Sequence, residues 1–293
     1  MNSAIGIGLA FVAMLCWGFG DYWIQKSTRK VGDWEALFVI EIFACVVLFP
    51  FTYRDLINLL LHPNFSLTVL IIAGLILLCA SLLVFEAYKR GKLSVLDPIQ
   101  SFEIFSASVL AFFVLGDRID WTQSALIVAL IVGLCLLSIK EIHFSKKLFL
   151  EKGVFLFLMG AILMGVADFF MGWGARLTNP LLANFIISVV MMVPTGLYLI
   201  LRGQVGRVTR DLIVNRALLL AMSISDIVAW VAYALAMTLV PIAVATSLSE
   251  GSTIVAVMLG LVVNREKLQV HQKVGLAVAI ISAMFLAAIT SAV

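Results

Sequence analysis

Ten runs of apolar residues, each close to 20 long and joined by short polar connections, leave this chain few folds to choose from. A helix that spans a bilayer needs roughly 20 apolar residues. Lipid offers no hydrogen bonds, so such runs must satisfy their own backbone as helices. The runs fall at about 4–25, 34–53, 67–88, 93–115, 121–139, 153–175, 180–201, 214–237, 240–263 and 269–291. Of 293 residues, 63% are hydrophobic and 13% charged, against about 25% charged in a soluble domain. That excess cannot be hidden in an aqueous core. The expected class is an all-α integral membrane protein with ten transmembrane helices. The longest connections, 54–66, 141–151 and 202–213, leave no room for a soluble domain. The first run has no basic residue before it and is too long for a signal-peptide core, so it is expected to stay as a span.

The chain repeats itself. "GFGDYW" at 18–23 returns as "GVADFF" at 165–170, with Asp21 and Asp168 147 residues apart. "SFEIFSASVLAFFVLGDRIDWTQ" at 101–123 returns as "LSEGSTIVAVMLGLVVNREKLQVHQ" at 248–272. There Glu103 and Glu250 are again 147 apart, and Asp117 and Glu266 are 149 apart. The halves divide as residues 1–145 and 146–293. Each holds five spans, an odd number, so the second half must enter the membrane from the opposite side, as an inverted repeat.

Loop charge agrees. Lys26, Arg29, Lys30, Lys89, Arg90, Lys92, Lys140, Lys146, Lys147, Lys152, Arg202, Arg207, Arg210, Arg216, Arg265, Lys267 and Lys273 fall on one side, 17 of the 20 Lys and Arg. The other side has Arg54, Arg118 and Arg176. The positive-inside rule places the rich side in the cytoplasm and both termini outside it.

Six acidic residues lie within the spans: Asp21, Glu41, Glu103, Asp168, Asp226 and Glu250. Every Lys and Arg is at a helix end or in a loop. An ionised carboxylate at the bilayer centre costs about 2.5–3.5 kcal/mol on insertion scales. These groups are therefore expected to face an interior cavity and to bind protons or solute. Trp17, Asp21, Gln25 and Thr28 share one stripe of the first span. Ser223, Asp226, Trp230 and Tyr233 share one on the eighth, and Thr246, Glu250 and Thr253 one on the ninth. Carboxylates beside aromatic faces suit an organic cation. The candidate substrate- and proton-binding residues are Glu103, Glu250, Asp21, Asp168, Asp226, Glu41, Trp17, Trp230, Tyr233 and Thr246. The competing reading of each acid is a protonated group hydrogen-bonded across helices.

"CWGFGDYWIQK" in the first span, and "LGDRIDWTQ" and "NREKLQVHQ" before the fifth and tenth, resemble the EamA-type repeat of the drug/metabolite transporter superfamily. That family closes each half with a Gly-Glu-x-Leu-x-x-x-Gln turn; here Asp117 stands for the Glu and Asn264 for the second Gly. The resemblance implies ten helices, a central cavity between the halves and transport of small metabolites. It also implies both termini in the cytoplasm, opposite to the charge count.

Other classes fit less well. "GFGD" matches the Gly-x-Gly-Asp of intramembrane aspartyl proteases, but no Tyr-Asp occurs and the copy reads "GVAD". No His-Glu-x-x-His, Gly-x-Ser-x-Gly or phosphate-cradling Gly-rich Lys motif is present, and the three histidines have no ligand spacing. The four cysteines occupy separate apolar runs. No basic cluster interleaves with aromatics as a nucleic-acid surface requires. A scaffold has no use for acids in mid-membrane. The expectation is a non-enzymatic secondary transporter in the cell membrane, with no cofactor and no metal. Its partners are a small solute, protons and lipid, as a monomer or homodimer. The leading solute is an amine, amino acid or drug-like cation exported against protons; the alternative is facilitated passage of a neutral or anionic metabolite.

Overall fold

The computed structural model describes residues 2–90, 93–138, 153–263 and 268–292. Every regular element among them is helical: α1 (Asn2–Val31), α2 (Asp33–Leu61), α3 (Phe65–Arg90), α4 (Leu93–Leu110) continued by a π-helical turn (Ala111–Leu115), α5 (Trp121–Ser138), α6 (Val154–Leu177), α7 (Pro180–Leu201), α8 (Val205–Val214), α9 (Arg216–Leu239), α10 (Ile242–Ser249), α11 (Ser252–Val263) and α12 (Val270–Ser291). Eight of them, α1, α2, α3, α5, α6, α7, α9 and α12, are long and apolar enough to cross a membrane, and 99–115 and 242–255 form shorter apolar stretches. The chain is a multi-pass membrane protein. The boundary expected between 145 and 146, the connection 141–151 and the second turn from Asn264 to Lys267 lie outside the described residues.

Three details differ from the sequence reading. The connection expected at 54–66 is mostly helix, because nothing breaks α2 until His62, Pro63 and Asn64. The connection expected at 202–213 contains α8, which turns Val208 inward and leaves Arg207 and Arg210 toward solvent. The run expected at 240–263 is broken at Glu250 and Gly251, where α10 ends and α11 begins.

Side-chain bonds identify the two ends of the bundle. At one end Lys89 pairs with Asp33 and Glu86 at 2.8 and 2.7 Å, Arg29 Nη2 donates to Tyr88 O, and Arg207 Nη2 donates to Val31 O. This is the basic end. At the far end Arg176 meets Asp117, and Asn179 Nδ2 donates to Asp55 at 2.7 Å. Gly6 lies against Leu239 and Val240, and Gln123 bonds Thr290, so both termini belong to the far end.

The broadest packing joins α1 to α9, α3 to α6, α5 to α12, α2 to α7 and α4 to α6. All five pairings set an expected first-half helix against a second-half helix, so the core lies between the halves. The α5–α12 crossing is close on both sides. A Cβ at Gly133 would come within 2.6 Å of Ala279 N, and one at Gly275 within 2.6 Å of Leu137 N. Only glycine permits that approach. Both helices open with a reciprocal cap. Gln123 N donates to Asp120 Oδ1 while Asp120 N donates to Gln123 Oε1; Gln269 and Gln272 repeat the arrangement. The caps leave each Gln amide free to cross over: Gln123 Nε2 donates to Thr290 Oγ1, and Gln272 Nε2 to Leu137 O. Large apolar side chains such as Phe51, Phe113 and Leu201 stay exposed on the perimeter, where lipid covers them.

Candidate functional site

A cavity of about 100 Å³ lies between the halves. It is lined by Asp21 and Trp17 from α1, Glu41 from α2, Ser81 and Tyr88 from α3, Gln100 and Glu103 from α4, Asp226 and Trp230 from α9, and Glu250 and Ser252 at the α10–α11 break. Phe85, Phe157, Met164 and Met191 complete its apolar wall. On α1 and α3 the lining residues, Ile24 and Tyr88 among them, run toward the basic end. A satellite space of about 20 Å³, room for about one water, opens between Glu41, Asn184, Ser188 and Asp226. Among the described residues, neither wall contains a lysine or arginine.

The acids form a continuous series. Glu41 neighbours Asp226, Asp226 neighbours Asp21, Asp21 neighbours Glu103 and Glu250, and both of those neighbour Asp168. Gln100 stands beside Glu250, and Ser188 beside Glu41. Glu250 is carried by the helix break. Irregular backbone at membrane depth is tolerated where it borders a polar space, and the cavity is that space.

Three of the sequence candidates stand behind the wall rather than on it. Asp168 is 1% exposed, next to Glu103 and Tyr233. Neither of its carboxylate oxygens reaches a hydrogen-bond partner among the described residues. Tyr233 and Thr246 are buried and joined by a hydrogen bond between their hydroxyls. The reason is depth. Asp21 is eight residues from Arg29 at the basic end, and Asp168 is eight from Arg176 at the far end, so a cavity nearer the basic end reaches Asp21 alone. Trp17, Trp230 and Tyr233 nevertheless form one cluster, with centroids 5.1, 5.2 and 6.0 Å apart and edge-to-face geometry. Tyr233 thus supports the two indoles from beneath.

Some lining residues were missed by the sequence reading. Gln100 sits one turn before Glu103 on the same face of α4. Ser81, Phe85 and Tyr88 repeat at four and three along α3, a stripe that carries no acid to draw attention to it.

Beyond this buried tier, the far end is held by Arg176. Its Nη1 and Nη2 grip Asp117 at 2.7 and 3.0 Å, its Nε donates to Met237 O at 2.8 Å, and Nη2 also reaches Val240 O. Asp117 accepts in addition from Ile242 N at 3.0 Å. One arginine therefore ties the turn before α5, the end of α6 and the α9–α10 junction. At the basic end, Arg29 donates to Tyr88 O at 3.2 Å. Arg29 and Arg176 are 147 apart, and Tyr88 and Met237 are 149 apart. The two contacts repeat one another with the spacing of the sequence repeat.

The sequence profile of the EamA-like transporter family matches residues 4–139 and again 151–288. An uncharacterised protein of Methanocaldococcus jannaschii is 26% identical over 143 residues, which is 48% of this chain and 100% of that protein. A relative with the length of one half accords with two similar units here. A solved crystal structure of a protein superposes with a TM-score of 0.74 over 98% of this chain and 97% of its own, at 15% identity, so the overall fold is shared. With both halves matched, the chain belongs to the EamA-like transporter family.

Proposed function

We propose that this protein is a secondary transporter that exports a small cationic or zwitterionic solute in exchange for protons. Its halves, 1–145 and 146–293, act as inverted five-span units around one site. The observation that carries the reading is the cavity wall: five carboxylates, two indole side chains and, among the described residues, no basic side chain. Such a wall repels anions and attracts an ammonium group by charge and ring face. Metal ions fit less well, since no cluster of three ligand-type side chains suited to one occurs among the described residues.

Alternating access follows from the two arginine contacts. Arg176 closes the far end through four hydrogen bonds, two of them forming its ion pair with Asp117, which also accepts from Ile242 N. Arg29, its image, holds Tyr88 O at the mouth nearer the cavity. Glu266, the counterpart of Asp117, lies outside the described residues. On this reading the two ends exchange roles during the cycle, and the charge bias of the loops puts the basic end in the cytoplasm with both termini outside. The Gly18 and Gly165 contacts support the same symmetry: a Cβ at Gly18 would meet Val255, and one at Gly165 would meet Ala107 and Ser106 in the equivalent helix of the other half.

The test is a thermal-shift screen of amines, amino acids, sugars and carboxylates at two pH values, followed by flux in proteoliposomes. A pH-dependent shift and proton-driven uptake among amines are expected. Hits confined to neutral or anionic solutes would replace this reading with an uncoupled facilitator.

A further inference from the structure

Asp168 is the one acid of the series on the wall of neither the cavity nor its satellite, and its chemistry there is narrow. It is enclosed, neither oxygen has a well-formed hydrogen bond among the described residues, and the groups it faces are few. Those are Glu103 from α4, Tyr233 from α9 and Glu250 from the helix break. From α3 and α7, which also pack on α6, no charged side chain reaches it among the described residues. A solvated cation has no room beside it. An unpaired carboxylate in a dry site is costly, and a proton is the only partner small enough to neutralise this one in place. Glu103 and Glu250 both line the cavity and neighbour Asp168, and of the two it is Glu103 whose carboxyl lies side chain to side chain with it.

We propose that the acids divide their labour: Asp168 is the proton-loading site, Glu103 passes its proton to the cavity, and Asp21, Glu41 and Asp226 hold the solute cation beside Trp17. This deepens the transport reading given above and rests on it for direction. Asp168 lies eight residues along α6 from Arg176, about 12 Å, so release of the far-end contact would bring it to the far-side solvent. It takes a proton there. With the far end closed, the O–H bond of Asp168 breaks as one forms on Glu103, and Glu103 then gives that proton to cavity water as the cation moves the other way. One proton enters for one monovalent cation leaving, so no net charge crosses.

The experiment uses the full-length purified protein and needs no substrate in its first arm. Infrared difference spectra between acid and alkaline pH report each protonating carboxyl through its C=O stretch. Wild type should show one such band at the high frequency of a buried, weakly hydrogen-bonded carboxylic acid. Asp168→Asn should remove it, Glu103→Gln should shift it, and Asp21→Asn should leave it in place. Asp168→Glu, which keeps the acid, should retain a displaced band and guards against a folding defect in the amide variant. Persistence of the band in Asp168→Asn overturns the proposal. The second arm measures choline in proteoliposomes. One pH unit supports about tenfold accumulation at one proton per cation. Asp168→Asn should lose that accumulation and keep choline–choline exchange. Loss of both in Asp168→Asn, with both kept in Asp168→Glu, would make Asp168 part of the cation site and overturn the division. Absence of choline transport in wild type would count against the cation reading above, while the spectra would still decide the role of Asp168.

Discussion

Removing the grip of Arg176 on Asp117 should open the far end, and the structure sets the size of the effect. The pair is bidentate, at 2.7 and 3.0 Å, with side chains 27% and 14% exposed. Charge-assisted hydrogen bonds contribute about 1.5–3 kcal/mol when shielded. Partial exposure of Arg176 moves the figure down, to about 2 kcal/mol. If the pair exists only while the far end is closed, Arg176→Gln or Asp117→Asn shifts the equilibrium toward opening by about 30-fold. Thr246 reports the change, because it lies between the contact and the cavity and is fully buried. Cys16, Cys45, Cys79 and Cys135 are first replaced, and Thr246→Cys is introduced. A membrane-impermeant maleimide should then label the protein about 30 times faster in either variant. The double variant should add little to the singles, since both remove one interaction. Arg176→Lys should fall between, because one ammonium cannot serve Asp117, Met237 O and Val240 O together. Unchanged labelling in both amide variants, with thermal stability retained, would refute the idea that this contact closes a path.

Four shorter predictions follow from the same geometry. Glu103→Gln and Glu250→Gln should each abolish pH-driven flux, and proton-dependent transport surviving in both would remove them from the coupling step. Cation binding should strengthen as pH rises, because protonating the cavity carboxylates Asp21, Glu41 and Asp226 removes the charge that holds the cation; isothermal titration with choline at two pH values reads the sign directly. Trp17→Leu should weaken binding of a quaternary ammonium about 2- to 30-fold, the range of roughly 0.5–2 kcal/mol for a cation on a ring face, and leave a neutral polyol unaffected. Gln123→Leu and Gln272→Leu should each cost about 1–2 kcal/mol, seen as earlier thermal unfolding, because each loses a reciprocal cap and a bond to the opposing half.

Much of the membrane architecture was readable because lipid imposes one rule, and the rule is written in hydropathy. The run expected at 180–201 is α7 to the residue, since Asn179 caps it through Leu182 N and Pro180 opens it. Where the rule is silent the reading failed. The residues of α8 looked like a loop because they are polar on average, although Val205, Val208 and Leu212 repeat at helical spacing. The break at Glu250 was hidden because apolar residues continue on both sides of it and hydropathy does not register a lost backbone bond. Glu250 and Gly251 leave the helix where the cavity can hydrate the backbone, a tertiary condition.

The repeat explains why the acids could be found and yet not ranked. Asp21 and Asp168 occupy equivalent places in sequence, so any reading by pattern must treat them alike. In three dimensions they are equivalent only through the symmetry that relates the halves, and a cavity nearer one end breaks that symmetry. Asp21 is then on the wall and Asp168 behind it. The same holds for Arg29 and Arg176: each reaches the carbonyl of an opposing helix, but Asp117 adds an ion pair to the far contact. If the protein works by alternating access, this asymmetry belongs to the state and not to the sequence. Closing the basic end should carry Arg29 into a fuller contact and bring Asp168 toward water, while Asp21 becomes the enclosed member of the pair. Cysteine substitutions at Asp21 and Asp168, labelled with and without choline, should therefore respond in opposite directions; parallel changes at the two positions would mean that the halves do not exchange roles.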